Sequence, residues 1–305
     1  MAQTLTPYNH PDYDDLPPNF PPVAASAWGE DRYGIWFELN VNDIVQRFRW
    51  VPKGEFTMGE SGDSLHEVKL SQGFWLADTT CTQELWQAVM GENPSSFKDS
   101  LQNPVDTVSW LDAQNFIQKL NQLVPELNAY LPSEAQWEYA CRSGTTSPFS
   151  FGDNITTDQV NYDGNYPYAG GEKGEYREKT VEVKALPANQ WGLYQMHGNV
   201  WEWCFDEYAS DLGDEAVTDP VTARFKSGVK PDKTVTETEN TGSTPDNTPL
   251  YDSTLLENGS EDGVLRVLRG GSWSYYGRNC RSAIRNGGTA DLRIWDLGFR
   301  FAAGH

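Results

Sequence analysis

The sequence predicts a mixed fold of short strands, a few helices and much irregular loop. Three observations lead there. The chain has 305 residues with 27 Gly and 18 Pro, enough turn formers to cut it into short segments. Its apolar content leans on 12 Trp and 14 Tyr, so the core is skewed toward large rings rather than Leu and Ile. And two stretches stand out for a helical period, whereas a helix bundle would show one throughout.

The elements follow in order. Residues 1–25 are Pro-rich and polar and read as an extended N-terminal arm. In "RYGIWFELNVNDIVQRFRWVPKGEFTMG" apolar and polar residues alternate, with Ile35, Phe37, Leu39 and Val41 on one face. Phe48, Trp50, Phe56 and Met58 continue the pattern, so strands joined by turns at "NVND" and "PKGE" are expected. "SLHEVKLSQGFWLADTTC" predicts a further strand pair. "TTCTQELWQAVMG" carries a Thr cap, a stripe through Leu85, Trp86 and Val89, and a closing Gly91. A second helix starts at Ser109 and aligns Trp110, Ala113, Phe116, Ile117 and Leu120. A shorter one opens at Ser133 and sets Glu134 and Glu138 four apart. After Trp203 the texture changes to Thr, Asp, Glu, Asn, Gly and Pro, which predicts a polar surface insertion at about 207–263. The "NGS" at Asn258 matches a glycosylation acceptor by chance alone.

The formal net charge of −21 repels phosphate backbones and anionic lipid, so no nucleic acid and no membrane insertion is expected. It leaves solubility, or cation binding at some carboxylates, as readings. The N-terminus has neither a basic start nor an apolar run, and no stretch reaches the length of a membrane span. A cytoplasmic location follows as an expectation. Cys81, Cys141, Cys204 and Cys280 are far apart and read as buried free thiols.

Five segments occur in a telling order: "PKGEFTMG", "NPVDTVSWLDAQNF", "LPSEAQWEYACRSG", "NQWGLYQMHGNVWEWCFD" and "RVLRGGSW…CRSAIRN…LGFRFA". Together they resemble the formylglycine-generating enzyme (sulfatase-modifying factor) family over roughly residues 46–305. The resemblance implies an α+β, C-type-lectin-like fold, with a twisted antiparallel sheet, two main helices and much irregular loop. One such domain would occupy 26–305. The Trp and Gly residues of "GNVWEW" and "RGGSW" suit it, since rings can pack against backbone that only Gly permits.

The resemblance implies three possible roles. Family enzymes that make formylglycine hold copper with two cysteines just after the "GGS" segment, as soft thiolates suit Cu(I). Here that segment offers Cys280 alone, so no copper and no enzymatic activity is expected. A second branch uses iron and three histidines. This chain has only His10, His66, His197 and His305, each read as structural or solvated. The third branch comprises variable proteins of diversity-generating retroelements, in which constant blocks alternate with variable clusters. The corresponding clusters here are Ser274, Tyr275 and Tyr276, then Ile284, then Gly287, Gly288 and Thr289, then Leu292, then Ile294, Trp295 and Asp296. Trp295 is either fixed or derived from a template codon other than Asn.

The expected function is therefore non-enzymatic binding of a ligand, a protein or other macromolecule, at a variable C-terminal surface. Tyr275, Tyr276 and Trp295 would be its anchors. Ser274, Tyr275, Tyr276, Ile284, Leu292, Ile294 and Trp295 should share one exposed patch. Trp201, Trp203, Trp273 and Phe299 should be core. The alternative is a formylglycine-generating or other metal- or oxygen-dependent modifying enzyme. A structural or signalling domain with a fixed partner is a third reading. The resemblance also implies structural Ca2+ held by the side chains of Gln195 and Glu202 and the carbonyls of Gly198 and Val200. A second calcium site would use Asn161 and the Tyr162 carbonyl. For Glu202 the competing reading is a carboxylate paired with Arg or capped by backbone amides.

Overall fold

The computed structural model describes residues 19–60, 65–221 and 264–304. Most of the expected arm, the stretch 222–263 with Asn258, and both His10 and His305 lie outside the described residues.

Alternation near the N-terminus does produce paired strands: β1 (Ala27–Asp31), β2 (Gly34–Val41) and β3 (Ile44–Val51) run antiparallel in succession. Asn42 and Asp43 both take positive φ, 53° and 68°, and close a two-residue hairpin whose twist matches its strands. Ile35, Phe37, Leu39 and Val41 are all buried. Next come β4 (Gly54–Met58), β5 (His66–Leu70) and β6 (Phe74–Ala77). The strand pair expected from "SLHEVKLSQGFWLADTTC" does not form. β5 alternates buried and exposed residues and pairs with β4, whereas β6 is buried at all four positions and pairs with β3. A strand apolar on both faces belongs inside the larger sheet, and one with a wet face does not.

The helices are α1 (Gln83–Met90), α2 (Trp110–Leu123) and α3 (Glu134–Arg142). The Thr82 hydroxyl caps α1 by accepting from the Leu85 N–H, and Gly91 ends it in the left-handed region. Ser109 with Asp112, and Ser133 with Gln136, form capping boxes on α2 and α3. Short strands complete the chain: β7 (Ala129–Tyr130), β8 (Trp201–Glu207), β9 (Val217–Thr218), β10 (Leu265–Arg269), β11 (Arg285–Thr289), β12 (Leu297–Gly298) and β13 (Ala302–Ala303).

Among the described residues the strands form three sheets. A six-stranded antiparallel sheet has the order β1-β2-β3-β6-β13-β7. A four-stranded sheet has the order β11-β10-β8-β12, with β12 parallel to β8. In the third, β4-β5-β9, β9 is parallel to β5. Ordered chain thus continues past Glu207 to β9, further than the expected start of the insertion.

Rings of β2, β3, α1, α2 and the last strands fill the main core, where Phe116 lies 5.4 Å from both Trp86 and Phe299. Three of the carboxylates sealed from water each meet an arginine. Glu134 accepts from Arg285 at 2.5 and 2.8 Å, Glu138 takes Arg142 at 2.9 Å and also Arg269, and Glu202 takes Arg300 at 2.6 and 2.7 Å. The i, i+4 spacing of Glu134 and Glu138 therefore clamps α3 onto β10 and β11. In "GNVWEW" the glycine meets backbone rather than the ring expected there: at φ 74°, a Cβ on Gly198 would lie 2.3 Å from the Asn161 carbonyl oxygen.

Candidate ligand-binding surface

The C-terminal segment is framed by backbone and arginine contacts rather than by long strands. β10 lies between β8 and β11. After β11 the chain crosses back to β12 on the opposite edge, three strand spacings away, or about 14 Å. On the way it is tied to the start of α2. The Leu111 N–H donates to the Ala290 carbonyl and the Thr107 N–H to the Ile294 carbonyl, both at 3.1 Å. Arg293 forms a fork on Asp112 at 2.6 and 2.8 Å.

Those side chains divide into three groups. Tyr276, Thr289 and Trp295 are exposed. Ser274, Tyr275, Ile284, Gly287, Leu292 and Ile294 are half-buried, and Tyr275, Ile284, Leu292 and Ile294 rest one side on the main core. Gly288 and Asp296 are buried, which corrects their expected place on the surface. Gly288 is shut in because Trp203 and Leu292 crowd it; a Cβ there would meet them at 3.0 and 2.8 Å. Asp296 turns inward because Ser272 and Ser274 donate to its Oδ2 at 2.6 and 2.9 Å.

The structure brings Ser274–Tyr276 and Ile294–Asp296 together. Trp295 lies 4.8 Å from Trp273, centroid to centroid, and beside that contact Ser274 bonds Asp296. Tyr275 stands edge-on to Trp201 at 5.3 Å. Ile284, Gly287 and Thr289 lie apart, toward the β11 edge, where Gly287 faces Tyr208 and Leu265. The expected single patch is therefore a cluster near β12 with an extension along the other edge. Trp201, Trp203, Trp273 and Phe299 are buried, as expected.

Sequence reasoning missed the neighbouring wall. Asp163 donates its N–H to the Tyr275 carbonyl at 2.9 Å, the Tyr166 ring lies 4.2 Å from Tyr276, and Tyr176 stacks on Trp273 at 6.0 Å. The density of Tyr and Gly in "DGNYPYAGGEKGEY" was the available signal. Burial raises the Asp296 carboxyl above its ordinary range, although its two serine hydrogen bonds oppose that. Burial and the Asp296 charge likewise raise Tyr275.

The sulfatase-modifying factor enzyme 1-like domain matches residues 39–304. The chain belongs to this family. It is 30% identical over 250 residues to the mouse formylglycine-generating enzyme, covering 79% of this chain and 54% of that protein, so it spans about half of the relative's length. Among solved structures, Treponema denticola variable protein 1 superposes with a TM-score of 0.65 at 26% identity, covering 88% of this chain and 98% of that one. PvdO from Pseudomonas aeruginosa shares the fold, with a TM-score of 0.59 at 19% identity over 92% of this chain and 98% of that one. The fold is thus the α+β, C-type-lectin-like fold of the sulfatase-modifying factor family, and it resembles a variable protein as well as enzymes.

Within that family fold the four cysteines have a common setting. All four are buried and free. Burial, and then Cys141 nearby, pushes up the Cys280 thiol; burial pushes Cys141 up to about 12. Burial in apolar surroundings thus favours the protonated thiol. His197 sits between them. The Ser150 N–H donates to its Nε2 at 3.1 Å, so Nδ1 carries the proton and donates to the Cys280 carbonyl at 2.7 Å. Cys141 Sγ lies 3.7 Å from Nε2. Burial lowers His197 to about 4, so the ring is neutral at physiological pH.

The family's calcium loop does not fit its ion here. Both oxygens of Glu202 face Arg300, and the Trp137 indole donates to one of them at 2.8 Å. A cation there would sit against a guanidinium. The Gln195 side chain is used within the protein, accepting from Asn199 and donating to the Glu182 carbonyl at 2.9 Å. Gly198 and Val200 are buried in the same turn without an open carboxylate beside them. Of the two readings for Glu202, the arginine pair is the one observed. Asn161 differs, because its Oδ1 is buried without a hydrogen-bond partner. An orphaned carbonyl oxygen is the donor type that a hard cation takes.

Proposed function

We propose that this chain is a non-enzymatic ligand-binding protein whose C-terminal side chains form a variable surface, of the kind that diversity-generating retroelements produce. One observation carries the reading. In the segment 274–296 the backbone is fixed by β10, β11 and the ties to α2, while Tyr276, Thr289 and Trp295 project from it into solvent. A frame that holds regardless of those side chains is what diversification needs. The likeness to Treponema denticola variable protein 1 supports it. The partner would be a protein or other macromolecule, since the anchors are spread over a surface rather than gathered in a deep cleft. The net charge of −21 argues against nucleic acid, and among the described residues no helix is long and apolar enough to cross a membrane.

The second reading is a formylglycine-generating or other metal- or oxygen-dependent enzyme, and family membership with 30% identity to the mouse enzyme favours it. The segment after Gly271 holds Cys280 as its single thiol, so the two-sulfur copper site of the family enzymes has no second ligand there. Incubating the protein with Cu(I), oxygen and a Cys-containing sulfatase peptide tests the choice. Recovery of unchanged peptide is expected. Turnover to formylglycine would overturn the binding-only reading.

A further inference from the structure

We infer that the aromatic centre of this surface takes a cationic group of its ligand, an ammonium or guanidinium, with Asp296 as counter-ion and the exposed Trp295 ring, backed by Trp273, as its wall. This rests on the binding-surface reading above. Three observations lead to it. First, Asp296 is only 1% exposed, and while its Oδ2 is held by two serines, its Oδ1 has no hydrogen-bond partner. Glu134, Glu138 and Glu202 each have an arginine, but Asp296 has no ion pair among the described residues. A buried carboxylate oxygen left bare is costly unless something completes it.

Second, the rings of the residues that adjoin Asp296, Trp295 directly and Trp273 between the two serines that bond it, suit a cation. Trp295 is 45% exposed and tilts 41° against Trp273, which also touches Tyr176 and Phe97. Indole faces attract ammonium and guanidinium through the ring quadrupole, and more strongly once water is excluded. Two arginines of the same segment are already committed. Arg293 is on Asp112, and Arg278 lies over Tyr276. Third, the surroundings are negative. Asp106 accepts only from Ser96, Thr107 and Phe97, next to the Phe97 ring on Trp273, and Asp163 accepts from Asn165 beside the Tyr275 carbonyl. Neither has a basic partner among the described residues. A surface with bare carboxylates beside aromatic rings selects a positive charge.

Nα-acetyl-arginine amide and its neutral isostere Nα-acetyl-citrulline amide are suitable probes, with the indole N–H resonances of Trp295 and Trp273 as the readout. The arginine probe should shift both resonances and bind at least about tenfold more tightly than citrulline. Asp296→Asn should remove that preference, whereas Glu126→Gln, the same charge lost at a distant exposed site, should keep it. Trp295→Ala, at an exposed position, covers the case in which Asp296→Asn misfolds; it should weaken arginine binding with the fold intact. Equal binding of the two probes, absence of any shift, or an unchanged preference in Asp296→Asn would each overturn the inference. A parallel selection of random displayed peptides separates this from the underlying reading. Peptides that need Trp295 and carry Lys or Arg support both. Peptides that need Trp295 but lack a basic residue defeat the cation alone, and peptides indifferent to Trp295 defeat the surface itself.

Discussion

Trp295 and Trp201 are the same residue type in opposite settings, 45% and 2% exposed. Removing a buried Trp ring costs about 3–5 kcal/mol, whereas exposed substitutions mostly stay within about 0.5 kcal/mol. Denaturant unfolding of Trp201→Ala and Trp295→Ala should therefore separate by roughly 3 kcal/mol, with Tyr275→Ala between them because its ring leans on Trp201. Equal losses for Trp295 and Trp201 would mean the surface is core. A second residue-scale prediction concerns His197, which folding holds neutral down to about pH 4. The unfolded chain binds the proton near pH 6.5, so stability is full above that value and is lost as pH falls toward 4. The loss is on the order of 3 kcal/mol, and His197→Gln should flatten that part of the pH–stability curve. A curve of the same slope in the variant would contradict the assignment. What the sequence left illegible at this scale was inward or outward direction. Asp296 follows a surface Trp in a loop without period, and only the two serine hydroxyls turn it inside.

At the scale of elements, α1, α2 and α3 were legible from caps and stripes, because those signals are local. The strand pairing of β5 and β6 was not, because partners are chosen by which faces the whole fold buries. Nor could spacing reveal that Glu138 would meet Arg269, 131 residues away. That pair holds α3 against β10. The Glu202–Arg300 pair gives the cleaner test, since Glu202, unlike Glu138 with its Arg142, has no second arginine among the described residues: Arg300→Met should destabilise by about 3–5 kcal/mol by stranding Glu202, and the double change Arg300→Met with Glu202→Leu should recover much of it. Failure of the double variant to improve on the single would show that the pair has no such coupling. For the ion, we expect Asn161 rather than Glu202 to govern any calcium dependence. Chelation should lower the melting temperature of the native chain and of Glu202→Gln, but not of Asn161→Ala, since a ligand that binds only the folded state stabilises it. An unchanged melting curve for the native chain in chelator would reject the site.

Over the whole molecule, family and fold were legible because "GLYQMHGNVWEW", "LRGGSW" and "LGFR" encode packing that few folds share: buried indoles, and glycines at positive φ pressed against neighbouring backbone or, at Gly270, against the Trp137 ring. Function was less so, since a binding surface has no motif of its own. The proposed one rests on a backbone frame, and the ties from Ala290, Arg293 and Ile294 to the start of α2 that hold it are long-range contacts that no local sequence signal carries. The central claim is that this frame carries variable contents. Deep sequencing of the 3′ end of the gene and of its neighbouring DNA in a population of cells tests it most directly. The account predicts a near-copy of that 3′ end beside a reverse transcriptase gene, with substitutions at adenine positions concentrated in the codons of Ser274, Tyr275, Tyr276, Ile284, Thr289, Leu292 and Ile294. Codons for Gly271, Arg285 and Arg300 should stay constant. No template copy, or substitutions spread evenly over frame and clusters, would contradict it.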